Sequence, residues 1–213
     1  MTTTSTTTQA MKFERPDQGE EVARADLYGV LASLFSMPAS QQLLGLIAAS
    51  DTDGDAVLES AWSDLVHACK SADQETVREE YEHLFIGVGK PEVMLYGSYY
   101  LAGFLMEKPL ALLRSDLQAL GIERMQSVVE SEDHIGTLCE VMRYLIASVD
   151  VAPGVADAVT LETQRTFFAD HMQQWVLRAC DAIDAHPDAD FYCHVSRLAR
   201  AYFEVEMLAF DMA

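Results

Sequence analysis

The chain has 213 residues, half of them apolar, and its 34 Asp+Glu against 14 Lys+Arg give a net charge of −20 with His taken as neutral. So apolar a composition excludes an intrinsically disordered chain, and the length fits one domain whose core needs neither disulfide nor metal. The charge is wrong for duplex DNA, RNA or anionic lipid, where phosphates attract Lys and Arg, so no nucleic acid is expected as a partner.

The N-terminal run of Thr and Ser has neither a basic start nor an apolar segment. It predicts a disordered tail over 1–19, no secretory signal, and a folded domain over 20–213. Leu27, Leu31, Leu34 and Phe35 then follow the i, i+4, i+7, i+8 spacing of one apolar helix face. Met37-Pro38 ends that helix, and Ser50 to Asp55 reads as a polar turn. Asp51, Asp53 and Asp55 alternate as in a calcium loop. Gly54, however, stands fourth where the loop needs Gly sixth, and Trp62 stands twelfth where it needs Glu, so a solvated turn is expected. Val77, Tyr81, Leu84 and Phe85 mark a second helical stripe. Ile86 to Ser98, with three Gly and one Pro, is the longest irregular stretch inside the domain.

Tyr99 to Met106 is the longest apolar run, far short of the roughly 18–20 residues of a membrane span, so no integral membrane association is expected. Gly121 is placed as a helix C-cap. Ile135, Leu138, Cys139, Met142, Leu145 and Ile146 form a third stripe, opened by Asp133 as an N-cap candidate. Ala152-Pro153-Gly154 is the best linker candidate. Phe168, His171 and Trp175 mark a fourth stripe, His186-Pro187 a further break, and Phe191, Val195, Leu198, Tyr202 and Val205 a fifth stripe. Alternating strand-type runs are absent from the sequence, as is any internal repeat. The expectation is an all-α domain of six to ten helices. Cys69, Cys139, Cys180 and Cys193 form no C-x-x-C pair and fit reduced core thiols in a cytoplasmic protein.

The sequence offers little for catalysis. Gly87-Val88-Gly89 begins like a dinucleotide fingerprint, but Glu92 occupies the third glycine position and no strand precedes it. Glu80-Tyr81-Glu82-His83 is a single Glu-x-x-His where a di-iron bundle needs two, and it reads as an acidic helix face with a surface His. Asp133-His134 at a helix start leaves two readings open: a capping Asp beside a partly buried His, or an acid–imidazole pair that binds polar groups of a partner. Asp170-His171, among Phe167, Phe168 and Trp175, lies on an aromatic face expected in the core. Nothing in the spacing asks for zinc at His134 and His171. No catalytic residue, metal or cofactor is expected.

Several segments taken together resemble a known family. Tyr81-Glu-His-Leu84-Phe85-Ile-Gly87-Val-Gly89, then Pro91 and Ser98-Tyr99, is similar to the first motif of the TorD/DmsD family of redox-enzyme maturation chaperones. Glu130-Ser-Glu-Asp133-His134-Ile135 resembles the family's E-P-x-D-H motif, with Ser131 in place of Pro. Gln164 to His171 with Trp175, and Phe191-Tyr192, resemble its later stretches. Gly97 precedes Ser98 where an acidic residue is common in the family. The resemblance implies a single compact multi-helix bundle that is cytoplasmic and not an enzyme. It implies a partner, the apo-form of a molybdoenzyme catalytic subunit or its twin-arginine leader, held for molybdenum cofactor insertion and kept from early export. Carried over position by position, it implies a client-binding surface of Tyr81, Leu84, Phe85, Gly87, Gly89, Pro91, Ser98, Asp133 and His134. The rival readings are a metal-dependent bundle enzyme using Glu80, His83, His134 and His171, and a generic helical interaction module. The chain is expected as a monomer or as a homodimer that exchanges helices at a hinge such as Ala152-Pro153-Gly154.

Overall fold

The computed structural model describes residues 18–87, 89–123, 130–148 and 160–212. Residues 1–17 of the tail expected over 1–19, and the linker at Ala152-Pro153-Gly154, lie outside the described residues, while Gln18 and Gly19 open the first helix and do not belong to a tail. The described residues form ten α-helices and one π-helical turn, with no strand among them, as the periodicities predict. In chain order these are α1 (Gln18–Ser36), α2 (Gln41–Ala48), α3 (Val57–Ser71), α4 (Gln74–Tyr81), the π-helical turn Glu82–Ile86, α5 (Gly97–Ala102), α6 (Lys108–Ala119), α7 (Ile135–Ser148), α8 (Leu161–His171), α9 (Val176–Asp184) and α10 (Phe191–Met212).

The apolar stripes drive the packing. Leu31, Leu34 and Phe35 of α1 and Leu138, Cys139, Met142 and Leu145 of α7 are all buried in one continuous core, along the most extensive helix–helix contact of the fold. The two helices approach closely because α7 carries Gly136 at the crossing. A Cβ there would lie 2.3 Å from Ser36 Oγ and 3.1 Å from the carbonyl oxygen of Ala32. The 22-residue α10 packs against α3, α9 and α4 and is buried along most of its length.

A polar cluster ties α1, α8 and α10 together. The Arg24 guanidinium donates to both oxygens of Glu206, at 2.8 Å each, and Tyr28 Oη donates to the same carboxylate at 3.0 Å. Gln164 accepts from Arg24 at 3.4 Å. Burial works against the Arg24 charge, but the hydrogen bonds and charge of Glu206 outweigh it and hold the guanidinium firmly protonated. Removing one partner of a buried pair like this leaves the other charge uncompensated, which is costly.

The fourth stripe ends sooner than its spacing suggests. α8 stops at His171, and Met172 leaves the helical region at φ −123°. Trp175 therefore sits in a turn ahead of α9, buried all the same, with its ring stacked on Tyr100 at 5.5 Å.

Candidate functional site

A cleft of about 580 Å³ lies between α5, α6, the end of α8 and the segment before α7. Its size falls in the usual range for ligand pockets. Gly97, Ser98 and Leu101 line it from α5, Lys108, Pro109, Leu112, Leu113 and Asp116 from α6, and Asp170, His171 and Gln174 from α8 and the turn beyond. Asp133 closes the floor. A second hollow of about 350 Å³, between α6 and α8, shares Asp116, Asp170 and His171 with the first, so the two adjoin.

The floor is built by a short pairing of two extended segments. Tyr96 and His134 form an antiparallel bridge, in which Gly97 N–H donates to the Asp133 carbonyl (2.9 Å) and Ile135 N–H to the Leu95 carbonyl (2.8 Å). Asp133 thereby faces the start of α5 and not the start of its own helix. Its Oδ2 accepts the Ser98 N–H at 2.8 Å, and its Oδ1 accepts from Ser131 Oγ at 2.5 Å. The capping role expected of Asp133 is real but acts across the fold, on α5 rather than on α7. The Ser98 hydroxyl lines the cleft, is fully buried, and finds no hydrogen-bond partner among the described residues. Buried hydroxyls are almost always paired, so this orphan just beneath the cleft floor is an exception.

His134 lies behind this floor and is 3% exposed. Its Nδ1 accepts the Gly136 N–H at 3.2 Å, and its ring packs edge-on against Tyr96. Burial lowers its pKa, and the opposing pull of Glu130 and Asp133 does not restore it, so the imidazole is neutral. His171 stands at the cleft wall, 2.9 Å from Asp116 Oδ2, against the Phe167 ring.

The segment after α5 is apolar and exposed. After α5 the chain turns through Gly103 to Met106, and Phe104, Leu105 and Met106 all face solvent, Phe104 with 72% of its surface. Met106 adopts φ +59°, a left-handed conformation that an unbranched side chain takes only under constraint. Leu101 and Leu112, both exposed, give the cleft an apolar shoulder.

Of the nine residues the resemblance marks, Ser98 and Asp133 line the cleft. Tyr81, Leu84 and Phe85 are buried, with Tyr81 Oη donating to the Phe35 carbonyl (3.0 Å) and Phe85 packed edge-on against Tyr192. None of the three lines the cleft. Gly87, Gly89 and Pro91 belong to the turn after the π-helical segment and line none of the cleft. Gly87 sits at φ +59°, and a Cβ there would come within 2.5 Å of the Lys90 carbonyl, so the turn requires glycine. Sequence reasoning did not single out Asp116, Leu101 or Leu112. Asp116 and Asp170 meet only when α6 and α8 pack, and no local spacing signals it.

Comparisons with known proteins agree with this architecture. Residues 51–181 match the family described as nitrate reductase delta subunit. Chaperone protein TorD from two strains of Vibrio cholerae serotype O1 is 24% identical, the alignment covering 88% of this chain and 92% of each relative. A crystal structure of an Archaeoglobus fulgidus protein assigned to redox enzyme maturation superposes with a TM-score of 0.55. It is 18% identical and covers 93% of this chain and 99% of that one, which supports the same fold.

Proposed function

The chain belongs to the nitrate reductase delta subunit family of TorD-like redox-enzyme maturation chaperones, and from that premise we propose that its client is the unfinished catalytic subunit of a molybdoenzyme, bound through a basic, apolar segment such as a twin-arginine leader. The observation that carries this reading is the cleft itself: two carboxylates, Asp116 and Asp170, beside an apolar shoulder of Leu101 and Leu112, with the buried Asp133 carboxylate committed to the α5 cap beneath them. Guanidinium groups pair best with carboxylates in forked geometry, and a neighbouring apolar stretch would cover the shoulder. Lys108, the cation among the lining residues, sits at the α6 end of the groove, so arginines would orient toward the α8 side. The chain acts by binding and holding, with no turnover of its own. It would keep the client segment sequestered while the cofactor is inserted elsewhere in the client.

The test is a calorimetric titration of the full chain with leader peptides of candidate clients. The double variant Asp116→Asn/Asp170→Asn removes charge from the cleft wall without touching the α5 cap. It should weaken peptide binding by about 10-fold or more, consistent with the roughly 1.5–3 kcal/mol of a charge-assisted hydrogen bond. A folded double variant that binds every leader as tightly as the parent would refute the site. A chain that binds no leader but captures the mature apo-subunit would move the client segment and keep the chaperone role.

A further inference from the structure

We propose that His83, His186 and Asp188 form a surface site for a divalent first-row transition cation of the zinc class. His83 belongs to the π-helical turn after α4, while His186 and Asp188 belong to the turn between α9 and α10, over 100 positions away in sequence. One candidate ligand atom from each lies within 4.8 Å of the other two. His83 Nε2 and Asp188 Oδ2 are 3.2 Å apart. That is about the edge of a tetrahedron built on metal–ligand bonds of roughly 2.0–2.2 Å. The two imidazoles meet edge to face at 5.8 Å between centroids, which brings both rings to the same point beside the carboxylate.

The donor set decides the ion class. Two imidazoles and one carboxylate suit zinc, copper or nickel, whereas magnesium and calcium take oxygen ligands almost throughout. Three protein donors leave a fourth position for water.

The two segments that would supply the ligands are already tied together. Glu80, three residues before His83, accepts the N–H groups of Asp190, Phe191 and Tyr192 at 3.0, 2.9 and 2.8 Å. A cation would therefore find its ligands held and would not have to gather them from mobile chain. His186 Nδ1 accepts the Asp188 N–H at 3.2 Å, which orients the ring, and ligation through that nitrogen would replace this one bond. The His83 and Asp188 side chains are 52% and 65% exposed, so the ion enters directly from solvent. The chain's net charge of −20 raises the local cation concentration. None of the three residues lines the client cleft, so the proposal stands apart from the client reading.

Titration of metal-free, full-length protein with zinc chloride at neutral pH tests it, read by calorimetry and by the thermal unfolding midpoint. One saturable equivalent should bind and raise the midpoint. His83→Ala and His186→Ala should each weaken binding by more than the about 10–100-fold that loss of an outer partner costs. His67→Ala, which removes an exposed imidazole outside the cluster, should leave binding unchanged, and excess magnesium should not compete. Circular dichroism of the metal-free variants establishes that they fold. Should His83→Ala fail to fold, Asp188→Asn carries the same expectation. Zinc binding that is unsaturable, or that survives in these variants, would overturn the proposal.

Discussion

The imidazole of His134 is neutral because it is walled in, and this makes it the clearest pH-sensitive residue of the site. Burial disfavours its charged form more than Glu130 and Asp133 favour it, so its folded pKa lies below the ordinary value of 6.5. In the unfolded chain the same side chain takes up a proton near that ordinary value. Acidification below it therefore adds protons to the unfolded state first, and folding stability falls with pH until the folded pKa is reached. Above the ordinary value both states are neutral and the contribution is flat. The slope from this one residue reaches at most about 1.4 kcal/mol per pH unit. His134→Gln cannot take up that proton. Its urea unfolding midpoints, measured from pH 7 down to pH 5, should fall less steeply than those of the parent chain. Parallel curves would mean that His134 takes up its proton alike in the folded and unfolded chains, and that burial does not lower its pKa. The sequence signalled an acid and an imidazole at a helix start, but it could not say that one faces a cleft while the other lies behind it. That difference depends on the Leu95–Gly97 segment pairing across to Asp133 and Ile135.

Two helix N-termini are satisfied by carboxylates from distant elements. Glu80 of α4 receives three N–H groups at the start of α10, and Asp133 receives one at the start of α5. The helices themselves are legible in the sequence, because burying one face imposes the i, i+4, i+7 spacing that Leu27 to Phe35 and Ile135 to Ile146 display. Their caps are not, because capping preferences describe residues next to the helix in sequence. Glu80 accordingly reads as part of an exposed acidic face until α10 is packed beside it. Its removal has a definite cost: Glu80→Ala leaves the first turn of α10 without its acceptor and should lower stability by about 2 kcal/mol, the upper end for a lost cap. For a chain of this size that corresponds to a drop of about 4–8 °C in the unfolding midpoint, readable by calorimetry. Alanine at the neighbouring Glu79, which is exposed, should shift the midpoint by under about 1 °C, since surface changes away from such contacts stay small. Equal shifts for the two would mean that the α10 cap contributes nothing.

Charge acts on the scale of the whole molecule, and it was visible in the composition before any contact was known. A chain at −20 attracts a basic segment from beyond contact distance, and on the proposed reading the wall formed by Asp116 and Asp170 would give that attraction a destination. The location of that wall was beyond the reach of sequence, since its members come from α6 and α8. Long-range attraction and short-range apolar contact respond differently to salt. The Debye length shrinks from about 30 Å at 0.01 M to about 10 Å at 0.1 M ionic strength, so encounter between opposite charges slows while contacts already made are little screened. Raising salt over this range in stopped-flow measurements with an arginine-containing leader should therefore lower the association rate several-fold and leave the dissociation rate nearly unchanged. The Asp116→Asn/Asp170→Asn variant separates the two sources of attraction. It keeps a net charge of −18, so its association rate should stay strongly salt-dependent, while its dissociation should speed up because the close pairs are gone. If burial on the shoulder of Leu101 and Leu112 alone carried binding, neither rate would show this split, and added salt would leave the affinity constant or raise it.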